Sequence, residues 1–126
     1  MKTILKEILV HNNCELDKFM QKSECINSLT DISHECFVTL AFTPKGRKVL
    51  FITRIIQNNW YESIKDTEFI VKSLLSKYNY SLKELIIILH TYFSSVELEN
   101  FYEINIHSEN ILNKISISNL ENILKK

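Results

Sequence analysis

Residues 36–56, which read CFVTLAFTPKGRKVLFITRII, give the clearest structural signal in the chain. Side chains alternate in polarity on both sides of a short turn, and β-branched and aromatic residues are frequent, as is typical of paired strands. Between the two runs stands Pro44-Lys45-Gly46. Proline restricts φ at the start of a turn, and glycine accepts the positive φ that turns often need. The stretch therefore predicts a central β-hairpin.

This hairpin uses the only proline and the only glycine among 126 residues. Average composition would supply about six and about nine. Phosphate-binding loops need several glycines, so the sequence excludes that class of nucleotide site. The chain is 45% hydrophobic and 24% charged, which is typical of folded proteins. Its length suits one domain of about 100–200 residues, and we expect a single α+β domain over residues 1–126.

The residues before the hairpin carry apolar side chains at helical spacing. Residues 2–11 place apolar residues at i, i+1, i+4 and i+5, and residues 14–29 repeat a softer version of this stripe. Both segments predict N-terminal helices. Residues 64–78 show the same period after a capping pattern at Ser63 and predict a further helix.

The C-terminal third mixes strand and helix signals. Residues 84–93 contain three consecutive isoleucines, which favour a buried strand, although a capping pattern at Ser81 leaves a helix open. Ser94 can cap a short helix ahead of a strand at 102–106, and Ser118 can cap a final helix. These signals predict an α+β fold in which helices pack on a mostly antiparallel sheet.

Charge is unevenly distributed although fifteen Lys and Arg balance fifteen Asp and Glu. Residues 36–60 carry four cations and no carboxylate, whereas residues 84–113 carry five carboxylates and no Lys or Arg. The cations are Lys45, Arg47, Lys48 and Arg54, and the carboxylates are Glu84, Glu97, Glu99, Glu103 and Glu109. The two segments either neutralise each other in the fold or form separate surfaces.

Aromatic residues accompany the acidic segment, a combination that suits a protein interface with a basic partner. We predict contacts from five residues of this segment and two secondary ones near the end of the hairpin. The first group is Tyr92, Glu97, Glu99, Tyr102 and Glu103, and the second is Trp60 and Tyr61. Four cations without an RNA-binding motif make nucleic acid a weaker hypothesis.

Cysteines and histidines cluster near the N-terminus, at His11, Cys14, Cys25, His34 and Cys36. Thiolate and imidazole are zinc ligands, but the paired Cys-x2-Cys arrangement of many zinc sites is missing. We interpret the cysteines as free thiols and the histidines as solvated, so that no cofactor is expected. A small zinc-binding protein or enzyme remains an alternative, although no catalytic motif surrounds any of these residues.

The whole profile is that of a dedicated binding protein. Its 18 Ile, 12 Asn and 13 Lys indicate an AT-rich genome, and neither a signal peptide nor a long apolar segment is present, so we expect a cytoplasmic location. Such chains are often immunity proteins that neutralise a bacterial toxin. A phage or viral antagonist of host defence and a homodimeric assembly module are the alternatives, and enzymatic activity is not expected.

Overall fold

The computed structural model describes residues 3–27, 33–56, 60–78, 85–93, 99–105 and 108–126. Within these residues the chain forms three helices and six strands. Their order is α1 (Thr3–His11), β1 (Glu15–Asn27), β2 (Ser33–Phe42), β3 (Lys48–Ile56), α2 (Trp60–Tyr78), β4 (Leu85–Phe93), β5 (Glu99–Ile104), β6 (Leu112–Ile115) and α3 (Ile117–Lys125).

The six strands form one sheet in sequence order, from β1 at one edge to β6 at the other. Neighbouring strands are antiparallel except β3 and β4, which are parallel because helix α2 connects them. The predicted α+β class with a mostly antiparallel sheet is confirmed.

The predicted hairpin is confirmed as β2 and β3. Leu40 pairs with Leu50 in its ladder, and the turn closes through a 2.8 Å bond from the Gly46 amide to the Thr43 carbonyl. Gly46 has φ +82°, a left-handed conformation that glycine adopts without the steric cost of a Cβ.

Helices cover both faces of the sheet. On one side, which we call the α2 face, α2 packs four side chains onto the sheet: Ile70, Val71, Leu74 and Leu75. On the other side, the two-helix face, α1 and α3 contribute Leu5, Ile8, Leu9, Leu120 and Leu124. Because successive residues of a strand point to opposite faces, Leu50 and Ile52 meet α2, whereas Phe51 belongs to the two-helix face.

The prediction of a second N-terminal helix over 14–29 is wrong, because residues 15–27 form strand β1. Residues 28 and 29 lie outside the described part of the chain. The physical reason for the wrong prediction is a bulge. Between Leu16 and Gln21 five residue steps of β1 oppose only two steps of β2, from Ala41 to Thr39. The extra residues break the two-residue alternation of a strand, so the apolar positions happen to follow a helical spacing.

The other predicted elements are found with shifted ends. Residues 3–11 and 64–78 are helical, as α1 and within α2, and residues 85–93 form strand β4 rather than a helix. The helix expected from Ser94 lies outside the described residues. The strand expected at 102–106 begins earlier, as β5.

Two features at the C-terminus were not predicted. The four-residue strand β6 was missed because it is too short to show a period. Helix α3 is capped by Ser116 rather than Ser118, since the Ser116 hydroxyl accepts a 3.1 Å bond from the Asn119 amide. None of the helices in the described parts of the chain combines the length and apolar character that a membrane crossing requires.

Candidate protein-binding site

Polar residues meet where the parallel strands β3 and β4 end. Thr53 lies directly opposite His90, and two residues further on Ile55 lies opposite Tyr92. On the antiparallel strand β5, Glu99 lies opposite Tyr92. Ile55, Tyr92 and Glu99 therefore form one row across the three strands. Strand alternation places all five residues on the two-helix face, beyond the apolar side chains that α1 and α3 cover.

His90 is fully buried and forms the centre of a hydrogen-bonded chain. Its Nε2 lies 2.7 Å from Glu99 Oε1, and its Nδ1 lies 3.2 Å from Thr53 Oγ1. Since a carboxylate only accepts, Nε2 donates to Glu99, and Nδ1 shares the second hydrogen bond with the Thr53 hydroxyl. The imidazole also stacks on Phe101, with ring centroids 4.8 Å apart, and contacts Tyr92 at 5.8 Å.

The next row of side chains, two residues beyond Thr53 and His90 towards the ends of β3 and β4, consists of Ile55, Tyr92 and Glu99. We call these three residues the edge patch. Ile55 is 48% exposed, Tyr92 is half-buried, and the Glu99 side chain is 15% exposed. Ile117 is 45% exposed and is the first residue of α3. It follows two residues after Ile115, which pairs with Phe101 of β5. An aliphatic, an aromatic and an acidic side chain therefore stand side by side at one end of the sheet.

The cationic segment of the hairpin is less exposed than its sequence suggests. Arg54 points to the α2 face, is 4% exposed and donates a hydrogen bond from Nη1 to the Thr67 hydroxyl of α2. Lys45, Arg47 and Lys48 remain exposed around the turn. The basic surface is thus a three-residue hairpin turn, and Arg54 belongs to the interior.

The edge patch and the cationic hairpin turn lie at opposite ends of β3. Strand β3 runs from Lys48 beside the hairpin turn to Ile55 in the edge patch, and seven residue steps of a strand span about 23 Å. This separation exceeds the screening length of about 8 Å at physiological salt. Direct neutralisation between Glu99 and the cations of the hairpin turn is therefore excluded.

Three of the five primary contact residues predicted from sequence lie on one face of the sheet, but Glu103 is four residues along β5 from Glu99, a distance of about 13 Å. Tyr92, Glu99 and Glu103 share the two-helix face, and Glu103 is exposed opposite Ile88. Tyr102 lies on the other face, 6% exposed within the core beneath α2, so it presents no contact surface there.

The remaining predicted contact residues fall where less is described. Glu97 lies outside the described residues, as does Glu84 of the acidic segment. Trp60 and Tyr61 form the first turn of α2, and their side chains lie outside the described part of the chain.

The five candidate metal ligands fall into two groups at opposite ends of β1. His11 is exposed at the end of α1 and Cys14 is half-buried just before β1, whereas Cys25 pairs with Glu35 at the far end of the β1–β2 ladder. His34 and Cys36 flank Glu35 in β2. The β2 segment that spans the two groups, from Phe42 to Glu35, is about 24 Å long, so the five cannot surround one ion.

Among the described residues, no three His, Cys, Asp or Glu side chains are grouped for a metal ion. Cys14 is a free thiol, and Cys36 is buried in the core beneath α2. Burial raises the pKa of the Cys14 thiol, which keeps it protonated and weakly nucleophilic near neutral pH.

A hydroxyl, an imidazole and a carboxylate in one chain are also the parts of a nucleophilic triad. Here the imidazole is completely buried and Thr53 is 6% exposed, so a substrate cannot reach the hydroxyl. These hydrogen bonds instead hold the Glu99 carboxylate in one position.

Sequence reasoning missed Thr53 and His90. The available signal was a polar residue inside an otherwise apolar strand, since a buried polar side chain is more informative than an exposed apolar one. Both residues follow apolar runs, FI before Thr53 and LIIIL before His90. Their pairing depends on the parallel register of β3 and β4, which no local pattern encodes.

Comparison with known proteins adds no relative: no protein-family model, no curated protein and no solved structure matches this chain.

Proposed function

We propose that this chain is an immunity-type inhibitor that neutralises a cognate, nuclease-like bacterial toxin by covering its active site. The observation that carries the proposal is the edge patch, in which Ile55, Tyr92 and Glu99 stand side by side on three neighbouring strands. Interfaces draw most of their energy from aromatic and aliphatic anchors, and carboxylates beside them select a basic partner.

Electrostatics support a basic partner. Glu99 and Glu103 lie on the two-helix face, and the described residues of β3 to β6 add no Lys or Arg to that face. A nuclease cleft is rich in cations because it binds phosphates. The carboxylates of the inhibitor would therefore speed the encounter and orient the complex, and the bound inhibitor would exclude the nucleic acid substrate.

The location follows from this function. The substrate of a nuclease-like toxin is intracellular nucleic acid, so the proposal places the inhibitor in the cytoplasm of a bacterial cell. An antagonist of host defence encoded by a phage would use the same kind of surface, and the identity of the partner distinguishes the two.

Self-association through a sheet edge receives less support. The edge strand β1 carries the bulge between Leu16 and Gln21, and its sequence includes Lys18 and Lys22. Bulges and lysines are the features by which proteins protect edge strands from pairing with another copy. At the other edge, β6 has only four residues.

The test has two stages. The partner is captured from the native host on the tagged full-length chain, identified by mass spectrometry and purified. Calorimetry then measures its affinity for the wild-type chain and for the double variant Glu99→Gln/Glu103→Gln at about 50 and about 300 mM NaCl, conditions that differ in electrostatic screening.

We expect the double variant to bind at least about tenfold more weakly at low salt and to lose much of the salt dependence. The matched control is Lys45→Gln/Arg47→Gln, which changes two exposed charges at the distant hairpin turn and leaves the affinity unchanged. Equal affinities for wild type and the Glu99/Glu103 variant, or a partner whose contact surface is acidic, would overturn the proposal.

A further inference from the structure

We infer that the edge patch is a seat for an arginine side chain of the partner protein, an inference that rests on the proposed function. The three residues of the patch lie in one row across β3, β4 and β5. Neighbouring strands are about 4.8 Å apart, so the row from Ile55 to Glu99 extends about 10 Å. One long side chain laid across the strands can contact all three residues.

Each residue of the row can contact a different part of an arginine side chain. Ile55, 48% exposed, offers an aliphatic surface to the methylene stem. Tyr92 offers an aromatic ring, on which a guanidinium group stacks favourably. Glu99 ends the row with a carboxylate that accepts hydrogen bonds from the guanidinium.

The buried residues His90 and Thr53 hold Glu99 in a position to bind a cation. His90 Nε2 engages Oε1 of the carboxylate at 2.7 Å, and Thr53 fixes the other side of the imidazole. A carboxylate has about four acceptor sites, so the bond to His90 leaves capacity for a cation. Because Glu99 is already held in place, binding of the arginine carries less of the entropic cost of ordering it. His90 is therefore a positioning residue of the seat.

Lysine fits the row less well. Its ammonium group is compact and strongly hydrated, whereas the guanidinium group is flat, weakly hydrated and able to stack and hydrogen-bond together. The half-buried ring of Tyr92 and the 15% exposed side chain of Glu99 favour the ion that loses less hydration. The seat consequently selects arginine over lysine.

The test uses the full-length, ¹⁵N-labelled chain and a short probe. Acetyl-Gly-Arg-Gly-amide is titrated while amide resonances are recorded, and peptides with lysine or with citrulline, the uncharged isostere of arginine, serve as comparisons. We expect saturable shifts at Ile55, Tyr92 and Glu99 with the arginine peptide, several-fold weaker binding of lysine, and at least about tenfold weaker binding of citrulline.

Three variants locate the site. Glu99→Gln keeps an acceptor for His90 but removes the charge, and we expect about tenfold weaker binding of the arginine peptide. Tyr92→Leu removes the aromatic face and weakens binding several-fold, whereas Tyr92→Phe retains it. Glu109→Gln, which removes an exposed carboxylate elsewhere, is the matched control and leaves binding unchanged.

The outcomes separate the inference from the proposed function. Shifts spread over the whole surface, equal binding of arginine and citrulline peptides, or equal losses in Glu99→Gln and Glu109→Gln would overturn the arginine seat, even if a protein partner binds. A specific arginine response together with a partner whose affinity ignores Glu99 and Glu103 would leave the seat standing and overturn the inhibitor proposal.

Discussion

His90 connects strands β3, β4 and β5 through its side-chain hydrogen bonds to Thr53 and Glu99. It interrupts the apolar run of β4 with a ring that is fully buried, and both of its nitrogens are engaged. A buried polar group costs little when it is paired and considerably more when a partner is removed. His90 therefore links two polar side chains, Thr53 and Glu99, that would otherwise lack this partner.

We predict that His90→Leu lowers the free energy of unfolding by about 2 kcal/mol or more, because it leaves Thr53 and the partly buried Glu99 without the imidazole. Thr53→Val removes one neutral bond while keeping the shape and costs about 1 kcal/mol. Urea unfolding of both variants and of their double mutant measures the values and their coupling. Additive losses would contradict a connected chain.

Alkaline pH tests two other buried residues. Burial raises the pKa of Tyr102 and of the Cys14 thiol above their ordinary values of 10.0 and 9.0, and the Thr91 side chain lowers that of Tyr102 by a smaller amount. The unfolded chain therefore releases these protons at a lower pH than the folded chain does. The free energy of unfolding should fall as the pH rises above about 9.

Urea unfolding at about pH 8 and about pH 10.5 measures this fall. Tyr102→Phe and Cys14→Ala each remove one of the two groups and should flatten the decline. A free energy of unfolding that increases over this range would contradict raised pKa values at both residues.

At the scale of elements, the sequence pattern and the structure place the N-cap of helix α3 at different residues. Both Ser116 and Ser118 stand near the start of α3, and the sequence favours Ser118 because Glu121 follows three residues later. In the structure Ser116 has extended backbone angles and its hydroxyl accepts the Asn119 amide. Ser118 lies inside the helix and is exposed.

We predict that Ser116→Ala lowers the free energy of unfolding by about 1 kcal/mol, the usual value of a lost N-cap. Ser118→Ala should change it by a few tenths of a kcal/mol or even raise it, because alanine is the better helix former. Thermal and urea unfolding of the pair decide between the two. A larger loss for Ser118→Ala would place the cap where the sequence pattern suggested.

Strand β1 shows why some elements are not readable from local sequence. Its residues lack the β-branched enrichment of the hairpin, and the bulge after Leu16 removes the alternation that would identify it. It is extended because β2 offers an unpaired row of backbone groups, and a strand satisfies them whatever its own propensity. Tertiary pairing overrides a weak local preference in this segment.

At the scale of the whole molecule, the described charges are arranged along the strands. Lys45, Arg47 and Lys48 are exposed around the hairpin turn, and Glu99 lies in the edge patch about 23 Å away along β3 and its neighbours. A chain with zero net charge can in this way present two separate electrostatic surfaces. The proposed recognition of a basic partner uses that separation.

We predict that the purified chain is a monomer of 14.9 kDa at micromolar concentration. The bulged, lysine-bearing edge of β1 and the short β6 oppose strand addition, and each face of the sheet is packed against helices. Size-exclusion chromatography with light scattering gives the mass. A stable dimer without any partner would favour the assembly alternative instead.

Elements whose signals are local could be predicted from the amino-acid sequence alone. The hairpin followed from alternation and from the single Pro and Gly at its turn, and α1 and α2 followed from their apolar periods. The sequence also identified the acidic aromatic segment that contains Tyr92 and Glu99. Hydrophobic periodicity and turn chemistry act over a few residues, so one sequence is enough to reveal them.

The way in which these elements meet depends on contacts between distant parts of the chain. The parallel pairing of β3 with β4 brings Thr53 beside His90, and the antiparallel return of β5 adds Glu99, although 37 residues separate the first pair. The tertiary structure also buried Arg54 and Tyr102 and split the cysteine–histidine cluster. Register and facing arise from backbone pairing between distant segments, and such pairing leaves no trace in a local pattern.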